Sequence, residues 1–413
     1  MTILTILTFL SLAAVGYVYL GYPIVLALLA RLRSRPVDRA LIFPTISLII
    51  AAYNEAGVIG RKVANSLTLD YPQDKLQIIV VADGSSDETA AVVQPYQAQG
   101  VLLLHNRERR GKSAALNRGA AVATGEILVF SDANAFYLPD ALQKLVRNFH
   151  DPAVGGVSGR KTIRDSEAAV SQSEGLYWRY ESFIKAKESQ IGSTTGVVGE
   201  MMAVRHQLFQ PIPEQIICDD AYLAYSLLRQ GHRVVYEPEA ISWETSAATT
   251  QGEMTRRQNI NAGRYQLFFR PRLWPWNNPL ALFQLISHKF MRLLLPFFML
   301  SGLLGNLMVV GRRREGRGRN LQNQSPNPPI LAPRPAALYL TLVGQLLFYG
   351  LALVGWLGER GGRRWKLPAL AWYITSSNLA SVNGLRRYLA GRQTVLWTKV
   401  ERGRLPGEIT LTP

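Results

Sequence analysis

The stretch ISLIIAAYNE, residues 46–55, sets a nearly unbroken apolar run directly against a polar cluster. A strand with one wet face would alternate apolar and polar residues, so a run like this suits a strand covered by helices on both faces. The pattern recurs at Ile78–Ala82 before Asp83-Gly84-Ser85-Ser86-Asp87, and at Val101–Leu104 before the turn Asn106–Lys112. It appears again at Ile127–Ser131 before Asp132-Ala133-Asn134. Helical patterns separate the runs, which predicts a mostly parallel α/β sheet across residues 45–240. In open sheets of this kind ligands bind beyond the carboxyl ends of the strands, where all four polar clusters fall.

Outward from this sheet the chain becomes apolar at both ends. Residues 1–30 carry no charged side chain, more than the roughly 20 apolar residues that cross a bilayer. Arg31, Arg33 and Arg35 follow the run, the reverse of a cleaved secretory signal, so a retained anchor with its following segment in the cytoplasm is expected. Charge-free runs at 293–311 and 335–358 read as further spans. A third, at 367–385, carries Thr375, Ser376, Ser377, Asn378, Ser381 and Asn383, and reads as an interfacial helix or a span packed on protein. Helix-like patterns are expected around Glu167–Gln190 and Ala221–Gln230. The expected organisation is an anchor at 1–30, an α/β domain at 43–270, and an interfacial segment at 271–292 containing Trp274 and Trp276. A membrane region of two or three spans at 293–390 and a basic tail at 391–413 follow.

The formal net charge is +17, and residues 311–413 hold +12 of it. The excess therefore flanks membrane segments and predicts topology and anionic-lipid contact, with no nucleic acid as partner. The single cysteine, Cys218, excludes a disulfide framework, and the five histidines never fall at ligand spacing.

Gly111-Lys112-Ser113 ends like a phosphate loop, but the glycine that loop needs five places earlier is Asn106, with Arg107, Glu108, Arg109 and Arg110 between. Asp132 and Asn134 alternate along an extended backbone and so point the same way, a pair able to hold Mg²⁺ or Mn²⁺ or simply to cap the next helix. Asp83 with Asp87, and Asn54 with Glu55, read equally as turns. Cys218-Asp219-Asp220 precedes a helical pattern, where acids complement the helix dipole or supply a general base. Arg256, Arg257 and Arg264 fall in a further helical pattern.

Taken in order, AAYNE, VVADGSSD, RRGKSAALN, VFSDANAF, VVGEMMAVR and CDDAYLA resemble the family 2 nucleotide-sugar glycosyltransferases of GT-A fold, in their membrane-anchored bacterial form, over about residues 43–270. The resemblance implies a Rossmann-like, mostly parallel sheet flanked by helices. It implies donor contacts at Tyr53, Asn54, Glu55 and Asp83 and a lysine beside the nucleotide at Lys112; separately, the basic helical pattern makes Arg257 the expected charge on the leaving diphosphate. The resemblance also implies Mn²⁺ or Mg²⁺ held at Asp132 and Asn134, and Asp220 as catalytic base. The second acid of the family's metal motif is here the neutral Asn134. The Gln-x-x-Arg-Trp signature of processive synthases is replaced by Arg256-Arg257-Gln258-Asn259-Ile260. Non-processive, inverting transfer from a UDP-sugar to a lipid-linked or glycan acceptor in envelope glycan synthesis is therefore expected, by a multi-pass inner-membrane protein with its catalytic domain in the cytoplasm. A processive synthase with a divergent motif, and a non-catalytic membrane scaffold, are the alternatives.

Overall fold

The structure, a computed structural model, describes residues 2–164, 169–245, 250–319, 335–363, 365–392 and 394–396. The strands are β1 (Ile46–Ala52), β2 (Leu76–Asp83), β3 (Leu102–Asn106), β4 (Ile127–Asp132), β5 (Phe136–Tyr137), β6 (Val154–Arg164), β7 (Met202–Arg205) and β8 (Arg233–Thr245). They form one sheet in the order β3-β2-β1-β4-β7-β6-β8-β5. The chain opens with helices α1 (Thr2–Gly16) and α2 (Tyr22–Leu32). Between strands come α3 (Ala56–Leu67), α4 (Thr89–Val93), α5 (Lys112–Ala121), α6 (Ala141–Val146), α7 (Ala169–Ile191) and α8 (Asp219–Arg229). Then follow α9 (Thr250–Phe268), α10 (Pro279–Gln284), α11 (Met291–Arg319), α12 (Pro335–Arg360) and α13 (Lys366–Leu389).

Strands β3, β2, β1 and β4 run parallel, and β7 turns antiparallel against β4. Leu48, Ile50, Val80 and Val129 pack on one face with Ile59 and Val63 of α3. Ile49, Val81, Leu128 and Phe130 pack on the other with Leu116 of α5 and Leu227 of α8. Successive side chains point to opposite faces and both faces are covered, which is why the runs are apolar throughout. The third strand extends past Leu104, because His105 and Asn106 continue the ladder opposite Ala82 and Asp83.

Among the described residues three helices are long and apolar enough to cross a membrane: Ile3–Leu32, Pro279–Arg312 and Ala336–Arg360. The second begins well before 293, since the stretch expected to lie at the interface continues through α10 and a π turn at Leu285–Phe290 into α11. Helices α1 and α11 meet closely: a Cβ on Gly305 would lie 2.3 Å from Thr8 Oγ1, so only a glycine lets the two approach. Helix α2 lays Tyr22, Leu26 and Ala30 against Ile184 and Ile191 of α7, fixing the α/β domain to the first apolar helix.

The polar residues of 367–385 find partners in protein. Ser377 accepts from Arg257 (2.5 Å), Ser381 Oγ lies 3.2 Å from Tyr265 Oη, and Asn378 donates to Tyr19 Oη (3.2 Å). Helix α13 thus packs along α9 and is not one of the three candidate spans among the described residues. The basic loop expected at 312–335 is helical as far as Arg319, and its remainder up to residue 334, like most of the basic tail, lies outside the described residues.

Candidate active site

Register alone brings the polar clusters together. Ala52 pairs with Ala82, and Ala51 with Asp132, so Tyr53, Asp83 and Asp132 leave the sheet side by side. Asn54 turns the chain with φ at 53°, a left-handed conformation that asparagine tolerates because its side chain bonds locally. Its Oδ1 accepts from Ser86 N (2.8 Å) and its own N–H donates to Ser85 Oγ (3.1 Å), tying the first loop to the second.

Asp83 is buried and accepts the N–H groups of Arg110 (3.1 Å) and Gly111 (2.6 Å). Gly111 has φ at 100°, and Lys112 opens α5 immediately after it. In a phosphate loop such N–H groups would surround a phosphate; here a carboxylate already takes them, so Gly-Lys-Ser forms a different structure. Arg109 lays its guanidinium 3.5 Å above the Tyr53 ring.

Beyond this turn, Lys112 Nζ lies 2.6 Å from Asp132 Oδ1 and 3.5 Å from Asp219 Oδ2. Burial alone would lower the lysine's pKa, but the attraction of Asp132 and Asp219 outweighs it and the ammonium is held charged. Burial likewise opposes the ionised form of Asp132, and Lys112 overcomes it, keeping that carboxyl below its usual range. Asp219 is pushed up to about 6, by burial first and then, against the pull of Lys112, by Asp220 and Asp132. Both acids sit in the first turn of α8, where Asp220 Oδ1 accepts from Ala221 N (2.8 Å).

These groups line a cavity of about 340 Å³ that holds Tyr53, Glu55, Asp83, Lys112, Asp132, Asn134 and Asp220. Two expected site residues are placed elsewhere. Asn54 is bonded to the loop after β2 and is not among the walls. Arg257 points to α13, donating to Ser377 and to Tyr373 Oη (2.8 Å) with its guanidinium over that ring; Arg256 and Arg264 of the same helix face the cavity instead. Helical periodicity made any of the three a candidate, and only the position of α13 selects among them.

The sequence reading assigned no role to a second group of wall residues. Lys161 of β6 pairs with Glu244 of β8 and lies 3.2 Å from Glu200, while Trp178 of α7 and Thr195 complete that side. Lys161 and Glu244 are far apart in sequence and meet because β6 and β8 pair in parallel, with Ile163 opposite Glu244. Lys289 and Phe290, within the second candidate span, reach the same cavity.

Among the described residues no three His, Cys, Asp or Glu side chains converge as a closed metal cage. Asp132 and Asn134 supply one carboxylate and one amide oxygen to the cavity. Such a set fits a hard divalent ion that keeps several waters and arrives with substrate phosphates.

The sequence model described as glycosyl transferase family 2 matches residues 47–212. A poly-β-1,6-N-acetyl-D-glucosamine synthase of Staphylococcus aureus is 27% identical over 231 residues, covering 54% of this chain and 56% of that one. The synthase of the same name from Staphylococcus epidermidis is 25% identical over 257 residues, 59% of this chain and 62% of that one. The match thus spans somewhat over half the length of these relatives. Among solved structures, the mannosyltransferase PcManGT from Pyrobaculum calidifontis, in complex with GDP-Man and Mn²⁺, superposes with a TM-score of 0.67 at 22% identity, over 94% of this chain and 99% of that one. At that identity the likeness speaks to the fold, which is GT-A. Residues 47–212 therefore match glycosyl transferase family 2, in a domain of GT-A fold set between helices long and apolar enough to cross a membrane.

Proposed function

We propose that this protein transfers a sugar, with inversion, from a nucleotide-sugar donor to a membrane-associated acceptor. The observation that carries this is the convergence of Lys112, Asp132, Asp219 and Asp220 in one cavity at the carboxyl ends of the parallel strands. Tyr53, Arg109 and Asp83 bound the end that takes the nucleoside; Lys112 meets the diphosphate, with Arg256 and Arg264 adding positive charge. Asp220 accepts the proton of the acceptor hydroxyl as that oxygen attacks the anomeric carbon. The bond from the anomeric carbon to the diphosphate oxygen breaks, and the nucleoside diphosphate leaves. Asp132 and Asn134 would hold Mn²⁺ or Mg²⁺, which would neutralise charge on the departing diphosphate.

Lys289 and Phe290 support an acceptor at the membrane, because the helix that enters the second span itself forms part of the cavity wall. The cluster Arg31, Arg33 and Arg35 after the first apolar helix favours a cytoplasmic domain. Processive synthesis is a second reading, favoured by the names of the staphylococcal relatives. The missing tryptophan at Ile260 favours single addition.

The test is nucleoside diphosphate release from a panel of UDP- and GDP-linked sugars by the detergent-purified protein, with metal or chelator. Asp220→Asn is expected to keep donor affinity and lose about 10²–10⁴-fold in turnover. Donor binding without turnover loss in that variant would remove Asp220 from the role of base, and absence of donor binding in the wild type would remove the transferase reading. Mass spectrometry of the product separates one added sugar from a polymer.

A further inference from the structure

One fully buried carboxylate, Glu188 of α7, joins two candidate spans to the loop that leads into β7. It takes four donors, two on each oxygen: Tyr22 Oη (2.5 Å) and His288 Nδ1 (2.8 Å) on Oε1, Thr194 Oγ1 (2.7 Å) and Thr195 N (3.1 Å) on Oε2. Tyr22 belongs to the first candidate span and His288 to the second. A carboxylate offers about four lone-pair sites, so this one is filled. Burial opposes its charge, and His288 together with the bond from Tyr22 overcomes that, keeping the carboxyl below its usual range.

The loop held in this way reaches the reacting centre. A Cβ on Gly196 would lie 3.1 Å from Lys289 Nζ and 3.2 Å from His288 Cε1; one on Gly199 would lie 3.2 Å from Lys112 Nζ and 3.5 Å from Asp220 Cβ. The chain therefore passes within a few residues from contact with the second candidate span to contact with Asp220. Attachment of the domain does not require such a junction, because Leu26 and Ala30 already pack on Ile184 and Ile191. Charged side chains inside a span are costly and mark specific partners. Here His288 Nε2 lies 3.2 Å from Glu181 Oε2, and Lys289 (3.5 Å) and Arg292 pair with the same carboxylate, so these groups are turned onto α7. Among the described residues that line the cavity, none is Tyr22, Glu188, Thr194 or His288, so any effect of these four on transfer is transmitted through the loop.

We propose that Glu188 is a positioning residue: it seats loop 194–199 against Asp220 in a place set by Tyr22 and His288 of the two candidate spans. The step it serves rests on the function proposed above, with Asp220 as base, whereas the tie between those helices and the loop does not.

The test uses the full chain in detergent and reads three quantities: hydrogen–deuterium exchange of the amides of residues 194–200, affinity for UDP and GDP, and turnover of the UDP- and GDP-linked sugars. Tyr22→Phe and His288→Leu each remove one donor from Glu188 without touching the cavity wall. Each should speed exchange in the loop tenfold or more and lower turnover by a similar factor, with nucleoside diphosphate affinity within twofold and exchange in β1 unchanged. His288→Asn, whose amide can donate to Glu188 in place of Nδ1, should recover most of both losses. Thr194→Val cuts the loop side of the same carboxylate, so combined with Tyr22→Phe it should cost less than the product of the two single losses. If His288→Leu does not fold, Tyr22→Phe, which lacks a single oxygen, still decides. Wild-type loop exchange in Tyr22→Phe and His288→Leu, faster exchange spread equally into β1, or a loosened loop with wild-type turnover would each overturn the positioning role. A loop loosened as expected in protein that takes no nucleotide would keep the tie and overturn the transferase reading.

Discussion

Lys112→Met removes the ammonium that stands 2.6 Å from Asp132 and 3.5 Å from Asp219. If that ammonium meets a diphosphate oxygen at about 4 Å, an effective dielectric of about 20 makes the attraction worth roughly 4 kcal/mol. The lysine side chain is 27% exposed and Asp132 takes part of its charge, so we halve this to about 2 kcal/mol, or roughly 30-fold in Kd. Calorimetry of UDP and GDP binding in the presence of chelator isolates the lysine from any metal. Lys112→Arg should recover part of the loss, because it restores the charge without the same reach. An affinity for Lys112→Met within threefold of the wild type would refute the placement of the diphosphate against this residue.

Asp219 gives a pH signature. Its pKa of about 6 means the cavity gains a negative charge as pH rises through that value, which opposes an anionic ligand. Asp219→Asn should therefore bind nucleoside diphosphate like the wild type at pH 5 and about tenfold tighter at pH 7.5, for a charge about 6 Å away at an effective dielectric near 40; a ratio flat with pH counts against it. Arg256→Ala and Arg264→Ala should each weaken nucleoside diphosphate binding several-fold, whereas Arg257→Ala should lower Tm through the lost contacts to Tyr373 and Ser377 and leave affinity unchanged; the reverse pattern would contradict the orientation of α9. Lys62 is fully buried on the Ala135 carbonyl and the Tyr137 ring, and burial brings its pKa down to about 7. Below that pH the folded state carries the full penalty of a buried charge. Between about 7 and 10.4 only the unfolded chain holds the proton, so the penalty fades as pH rises. Lys62→Met should raise Tm more at pH 6 than at pH 9.5, and a gain that grows with pH would reverse the assignment.

Much of the site was legible because its residues follow strands directly. Tyr53, Asp83, Lys112 and Asp132 sit at strand ends or in the turns beside them, and a parallel sheet gathers such positions on one edge. Residues on helices far from the sheet were not legible in the same way. Arg256, Arg257 and Arg264 share one helix, and the choice among them depends on α13, more than a hundred residues later. Lys161 and Glu244 carry no local signal, because a charge in a strand is as often a solvated position until the partner strand is known; Glu200 lies in VVGEMMAVR, but only the fold shows that its carboxylate meets Lys161.

The amino-acid order by itself determined the architecture: apolar runs without alternation require a covered sheet, and long charge-free runs give helices long and apolar enough to cross a membrane. It also determined which acids and which lysine stand at the sheet's edge. Tertiary structure alone decided how those charges are paired, giving Lys112 to Asp132 and Asp219, and Asp83 to the backbone of its neighbouring turn. It alone decided that α13 packs on α9 and that Lys289 and Phe290 of the second candidate span line the cavity. The physical reason is range. Periodicity is read within a few residues, whereas the pairing of buried charges depends on distances of a few ångströms between segments that only the folded chain brings together.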